Sequence, residues 1–291
     1  MAKILVTGAT GGLGKEVIRA LMEWTDKSNI VALARNMDKA AEFIEKGIEV
    51  RQAEYNDYPA LLKAFSGIDK LYFISGSEVA IRVPQHENVI KAAKETGIKH
   101  VVYTSFQRKN ETETSPIAMV SEAHLKTEKW LLESGMAYTI LKHNLYLDIL
   151  PMFLGQKVLE KGMIYLPAGE GKTAFVLRKD MAEVGAIVLT TDSHENKSYD
   201  ITAGESLNFQ EIAEQLSEIT GQTIKYISPS SEEFAKTLTD AGVPAANIGM
   251  VSGFAEAVKQ GEFEKTSDTV EKLLGRKPVS VKDVLQHIYG K

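Results

Sequence analysis

Three glycines recur at positions 8, 11 and 14, in the stretch Thr7-Gly8-Ala9-Thr10-Gly11-Gly12-Leu13-Gly14. Ahead of them, Ile4 to Val6 form an apolar run with the β-branched content of a buried parallel strand. Behind them, Val17, Ile18, Leu21 and Met22 repeat at helical spacing. The order is strand, glycine turn, helix. Glycine permits a tight turn and lets a phosphate approach the backbone. The helix that follows offers free N–H groups and the positive end of its dipole. The chemistry implied is the binding of a pyrophosphate, with Gly8, Ala9, Thr10, Gly11, Gly12 and Leu13 as contacts. The spacing is G-x-x-G-x-x-G, not G-x-G-x-x-G, so the triad alone is also compatible with a merely structural turn. Its place directly behind a strand favours the nucleotide.

A second group bears on which nucleotide. The next apolar strand, Ile30 to Ala34, runs into Arg35-Asn36, with no carboxylate before Asp38. An acid at that point hydrogen-bonds a ribose 2′-hydroxyl, whereas an Arg accommodates a 2′-phosphate. A guanidinium presents a planar fork of donors to phosphate. Arg35 therefore points to NADP(H) in preference to NAD(H), a solvated surface arginine being the plainer alternative.

Other chemistries are excluded or disfavoured by what the chain lacks. It has no cysteine among its 291 residues, which removes disulfides, thiolate catalysis and cysteine-ligated metals. Its six histidines show no metal-binding spacing, so no metal is expected, and the cofactor expected is a dinucleotide without flavin. A formal charge of −5 gives no basic footprint for nucleic acid. No apolar stretch approaches a membrane span. The first strand is expected from about residue 3, leaving no room for a signal peptide, so a cytoplasmic location is expected.

The elements that must position these residues read as follows. Further strands are predicted at about 48–53, 70–74, 100–104 and 137–142, with helices at about 37–46, 59–65, 84–96 and 117–134. Strands alternating with helices argue for an α/β fold, a doubly wound parallel sheet of Rossmann type. Ligands on such sheets bind at the carboxyl ends of the strands. Those ends carry the glycine turn, Arg35, Ser75-Gly76-Ser77 and Thr104-Ser105. The dinucleotide-binding domain is expected over 1–150, with 173–203 rejoining it. Residues 151–172 and 204–291 form a smaller, mainly helical α/β domain on the substrate side. In the rejoining segment Thr173 to Leu177 reads as a strand, and in the smaller domain Ser280-Val281-Lys282-Asp283 reads as a capping box with Asp in place of Glu.

Together, Thr7-Gly8-x-x-Gly11-x-x-Gly14, Arg35 and Tyr103-Thr104-Ser105 resemble the NmrA-like, atypical short-chain dehydrogenase/reductases. Within that family the chain looks closest to the type-2 NAD(P)H:quinone reductases and the triphenylmethane dye reductases. Ile74 to Glu78, Gln85-His86-x-Asn88, His124-x-x-Thr127-Glu128 and Asn144-x-Tyr146 carry that closer match. The resemblance implies cofactor contacts at Gly8 to Leu13, Arg35, Ser75, Gly76 and Ser77, and from His143-Asn144. It also implies a substrate pocket between the two domains. Thr104 and Ser105 join the cofactor list from their place at a strand end.

The chain departs from the wider superfamily in one respect that matters. With Glu128 aligned to its downstream acid, the catalytic Tyr-x-x-x-Lys pair is replaced by Val120 and His124. Without it, no side chain is evidently tuned to protonate an alkoxide. A quinone or a cationic dye needs less help, because it spreads incoming charge over a conjugated system. The expected function is hydride transfer from NADPH to such an acceptor. His124 is the candidate catalytic or ribose contact, and Tyr146, Phe106 and Met119 are candidate pocket walls. The alternatives are a non-catalytic NADP(H)-sensing regulator and, more remotely, an enzyme acting on a nucleotide-sugar. The partner expected is a small aromatic or quinone-like molecule, with a homodimer left open.

Overall fold

A computed structural model describes residues 2–290. The chain forms two compact units. The first gathers three stretches of sequence, Met1–Phe106, Met119–His143 and Arg178–Asp200. The second gathers Gln107–Ala118, Asn144–Leu177 and Ile201–Lys291. The sequence division at residue 150 thus differs from the structure at two places. Residues 107–118 belong to the second unit, and so does the chain from Asn144 onward; the rejoining segment is Arg178–Asp200, not 173–203.

In the first unit, β1 (Ile4–Val6), α1 (Gly12–Trp24), β2 (Ile30–Ala34), α2 (Ala41–Glu45), β3 (Glu49–Gln52), α3 (Tyr58–Phe65) and β4 (Lys70–Phe73) follow one another. α4 (Arg82–Glu95), β5 (His100–Phe106), α5 (Ala118–Ser134) and β6 (Ala137–His143) continue the alternation. The strand order is β3-β2-β1-β4-β5-β6, extended at the β6 edge by a strand from later in the chain. All pairings from β3 through β6 are parallel, with Leu5 beside Val31 and Leu71, and Phe106 beside His143. The order reverses between β1 and β4, the switch point where doubly wound sheets bind ligands.

Alternate side chains of the strands point to opposite faces. On one face Leu5, Val31, Leu71, Phe73, Val101 and Tyr103 pack with Leu61, Phe65, Val89 and Leu131 from α3, α4 and α5. On the other, α1 buries Val17, Ile18 and Leu21. Helix α2 is shorter than predicted, because Asp38–Ala40 form a 3-10 turn ahead of it.

The second unit holds α6 (Leu150–Leu154), α7 (Val158–Lys161) and β7 (Met163–Tyr165). The chain then returns to the first unit for α8 (Arg178–Thr190), which packs along α1, and β8 (Lys197–Ile201), the edge strand beside β6. Helix α9 (Phe209–Thr220), strand β9 (Lys225–Ile227), α10 (Ser231–Asp240), α11 (Ala245–Lys259), α12 (Thr269–Leu274) and α13 (Val281–Tyr289) complete the second unit. β7 and β9 pair in parallel as a separate ribbon. Thr173 to Leu177, expected as a strand, makes only isolated bridges, Tyr146 with Val176 and Thr173 with Leu207. The 107–118 segment is clipped to its unit by the buried Glu262. Its Oε2 accepts the N–H groups of Lys109 (2.7 Å) and Asn110 (2.9 Å). No helix among the described residues is long and apolar enough to cross a membrane.

Candidate active site

The glycine turn closes as its sequence requires. Gly8 has φ of 57°, the left-handed region that favours glycine, and its carbonyl accepts the Gly11 N–H at 2.9 Å. At Gly14 the need is for close approach: a Cβ there would overlap the Gly8 carbonyl and stand 2.7 Å from the Ala9 Cα. Helix α1 starts with Gly11 as its N-cap, with no side-chain cap and no acidic residue in its first turn. Its first N–H groups are left without an intrahelical partner or a side-chain cap. Gly11 and Gly12 are exposed, while Ala9 and Leu13 are buried beneath them. An uncapped, unacidic helix start behind an exposed glycine turn fits a phosphate group.

The loop after β4 is tied to this turn. Thr7 Oγ1 accepts the N–H of Ile74 at 2.9 Å and hydrogen-bonds the Tyr55 hydroxyl at 2.6 Å. The Tyr55 hydroxyl also reaches the Ile74 carbonyl at 2.8 Å. Burial pushes the Tyr55 phenol above its ordinary pKa, so it stays a neutral strut. The Ser75 N–H donates to Thr104 Oγ1 at 3.0 Å. Thr104 and Ser105 are both buried, and the Ser105 hydroxyl bonds the Glu128 carboxylate. Thr104, expected as a cofactor contact, supports the loop from below, and Ser105, expected likewise, bonds α5 instead, whereas Ser77 is exposed.

Arg35 is exposed at the end of β2 and pairs with Glu78 at 2.7 Å. This brings it to the loop that carries Ser75, Gly76 and Ser77. An exposed pair of this kind contributes little, about 0–1 kcal/mol, so a 2′-phosphate can exchange for Glu78 at small cost.

Further along the sheet, His124 on α5 is buried and stacks on Phe106, with ring centroids 5.8 Å apart and planes at 26°. Its Nδ1 lies 2.7 Å from the Tyr103 hydroxyl. Phe106 and His143 are register partners at the carboxyl ends of β5 and β6. His143 is buried, and burial pushes its pKa down to about 3. Val120, where the superfamily has its Tyr, is half-buried on the same helix. Met119 stands 71% exposed in the first turn of α5, so within its own unit it lines nothing.

Asn144 and Tyr146 belong to the second unit. The Asn144 amide donates to the Phe263 carbonyl at 3.0 Å and accepts the Leu145 N–H at 2.7 Å, which makes it a chain anchor there. Tyr146 is half-buried at the start of a 3-10 turn over Leu147–Ile149. A cleft of about 390 Å³ in that unit, lined by Thr173, Phe175, Leu207 and Lys277 among others, contains none of the candidate cofactor, catalytic or substrate residues. Among the described residues, no group of three or more His, Cys, Asp and Glu side chains could hold a metal ion.

Sequence reasoning missed the supports of the loop: Tyr55, His86 and Glu78. His86 is visible in Gln85-His86-x-Asn88, but nothing local assigns it a partner forty residues away on α5.

Fold and turn together define a Rossmann-type α/β protein with a glycine turn and an uncapped helix start at its switch point. The chain belongs to the NmrA-like family, whose model matches residues 1–285. It is similar to Quinone oxidoreductase 2 of Escherichia coli (strain K12), 36% identical over 287 residues, 99% of each chain. It is also similar to an NAD(P)H azoreductase of Xenophilus azovorans, 30% identical over 280 residues, 94% of this chain and 93% of the other. The solved structure of Citrobacter sp. triphenylmethane reductase complexed with NADP(H) matches it with a TM-score of 0.91 at 37% identity, covering 98% of this chain and 99% of that one. By family and by these relatives the chain is an oxidoreductase.

Proposed function

We propose that the protein is an NADPH-dependent reductase that delivers a hydride directly to a quinone or a related conjugated aromatic acceptor. The observation that carries this reading is the start of α1. A glycine turn and an uncapped helix end without acids meet at the sheet's switch point, with Arg35 at the neighbouring strand end. The relatives named for quinone, azo and triphenylmethane reduction support the acceptor class.

When bound, the reduced dinucleotide supplies the hydride. The residues of the chain do the binding and orienting. Gly8 to Leu13 receive the pyrophosphate on backbone N–H groups. Arg35 takes a 2′-phosphate, leaving Glu78, and this favours NADPH over NADH. Ser75 to Ser77 border the nicotinamide side, held by Tyr55, Thr7 and Thr104. α5 carries Val120 and His124 in place of a Tyr–Lys pair, so no phenol is aimed to protonate an alkoxide. A conjugated acceptor does not need one, since its π-system takes up the charge. Rate then comes from holding two flat rings in contact distance. Phe106, backed by the buried His124 ring stacked on it, offers an aromatic surface for that purpose.

The test is the initial rate of NADPH and NADH oxidation by pure protein with a panel of quinones, azo dyes and triphenylmethane dyes. Acceptor-dependent oxidation, faster with NADPH, is expected. NADPH binding without oxidation of any acceptor would replace this reading with that of a dinucleotide sensor.

A further inference from the structure

Beneath the loop after β4 runs a chain of hydrogen bonds whose direction is fixed at both ends. The Gly76 N–H donates to Nε2 of His86 at 3.0 Å. His86 Nδ1 lies 2.8 Å from Thr127 Oγ1, and the Thr127 hydroxyl donates to the Ala123 carbonyl at 2.6 Å. A backbone N–H can only donate, and a carbonyl can only accept. Nε2 must therefore be bare, the ring proton must sit on Nδ1, and Nδ1–H must donate to Thr127. The chain runs one way, from Gly76 through His86 and Thr127 to the backbone of α5. Neutral imidazole in water prefers the opposite tautomer, with its proton on Nε2, so the fold imposes this one.

The ring has little freedom to turn. It is fully buried, with Phe73 edge-on at 4.8 Å between centroids and Tyr103 edge-on at 5.8 Å. Ser75 Oγ lies 3.4 Å from Nε2, and the Tyr103 hydroxyl lies 3.5 Å from Nδ1. Burial, with the Arg82 cation adding to it, pushes the His86 pKa down to about 3. The charged ring, which would face the Gly76 N–H with an N–H of its own, is thus absent near neutral pH.

We propose that His86 is a positioning residue for the dinucleotide: as its Nδ1–H tautomer, braced on Thr127, it holds Gly76 and fixes the Ser75–Ser77 loop in the shape that receives the cofactor. This rests on the reading of that loop as a cofactor contact. It also gives this histidine a role other than proton transfer. A short side chain with an acceptor on one edge and a donor on the other can bridge a backbone N–H to a threonine hydroxyl.

Two measurements test it. Two-bond ¹H–¹⁵N correlation on the ¹⁵N-labelled wild-type protein reads the tautomer directly. A bare Nε2 and a protonated Nδ1 on His86 near neutral pH are expected; a protonated Nε2 overturns the proposal. The second measurement is the NADPH dissociation constant of His86→Leu and His86→Gln. Leu removes the acceptor and leaves the half-buried Gly76 N–H unpaired, so binding should weaken roughly tenfold, with the loss falling on KM for NADPH in preference to kcat. Gln offers a carbonyl oxygen to Gly76 and should recover most of the affinity. A folded His86→Leu protein that binds NADPH as tightly as wild type overturns the proposal. If that variant does not fold, the wild-type tautomer decides alone. Wild-type protein that binds no NADPH would instead overturn the reading of the loop, and the role of His86 with it.

Discussion

Four helix beginnings divide into two kinds. In the second unit, α9, α10 and α13 each open with a complete capping box, Asn208 with Glu211, Ser230 with Glu233 and Ser280 with Asp283. In each, the cap side chain accepts an N–H of the first turn, and the acid three residues on reaches back to the cap's own N–H. The carboxylates are held below their ordinary pKa by these bonds, for Glu211 and Glu233 chiefly by the cap backbone N–H and for Asp283 chiefly by the Ser280 hydroxyl. In the first unit, α1 opens on Gly11 with no such side chain and no acid. The first kind uses its polar groups up within the fold. The second leaves donors and dipole available to something outside it. A helix start that is poorly made by the rules of stability is well made for binding an anion.

The largest effect should come from abolishing the difference. Gly11→Asp places a capping carboxylate on α1, at a residue whose backbone (φ −81°, ψ 169°) already suits an N-cap. NADPH and NADH binding should both fall by roughly 100-fold or more, since a fixed anion then occupies the pyrophosphate's place. The melting temperature should stay near that of the wild type, the new cap offsetting the crowding of a Cβ 3.2 Å from the Gly8 carbonyl. Isothermal titration with each cofactor, beside thermal unfolding, checks both halves; retained binding would remove α1 from the site.

A smaller effect is expected where the contrast is between the two dinucleotides. Arg35→Asp should weaken NADPH roughly 10- to 100-fold, the loss of charge-assisted hydrogen bonds, and leave NADH nearly unchanged. Glu78→Gln should act the other way and tighten NADPH severalfold, because it removes both the competitor for Arg35 and a nearby negative charge. Equal changes for both cofactors in these variants would show that Arg35 does not read the 2′-phosphate.

The smallest effect, confined to stability, belongs to the other kind of helix start. Ser280→Ala should cost about 1 kcal/mol of unfolding free energy, the usual price of an N-cap. It should leave cofactor affinity where it was. Denaturant titration and the NADPH dissociation constant measured on one preparation separate the two.

What the sequence made legible follows the same divide between local and distant. The turn at Gly8, the strand and helix alternation and the Ser280 capping box are each written within a few residues, and the structure has them all. The strands' runs of Val, Ile and Leu carried the parallel sheet, because buried strands need no alternation. Distant partners carry no such local mark. Nothing near Lys109 announces that Glu262 will hold its N–H, so residues 107–118 were not assigned to the second unit. Nothing near Met163 announces the pairing of β7 with β9. Thr173 to Leu177 has the apolar content of a strand, but its backbone partners are scattered over Leu145, Leu147, Ala203, Leu207 and Phe263 instead of lying on one neighbouring strand. In the candidate site, the places of Gly8 to Leu13 in a turn and of Arg35 at a strand end could be read from spacing. The roles of Thr104 and His86 depend on neighbours 29 and 10 residues away, met only once the chain has folded.

The sheet unit is assembled from three separated stretches, the last of them Arg178–Asp200. This fixes an order of events on the ribosome. The glycine turn and α1 are made well before α8, the helix that packs along α1, which is complete only at Thr190. At roughly 5–20 residues per second, the nascent α1 waits about 10–40 s with that flank uncovered. Over that interval the cradle depends on the sheet strands already made, and a nascent chain stalled before Arg178 would present the turn without its supporting helix.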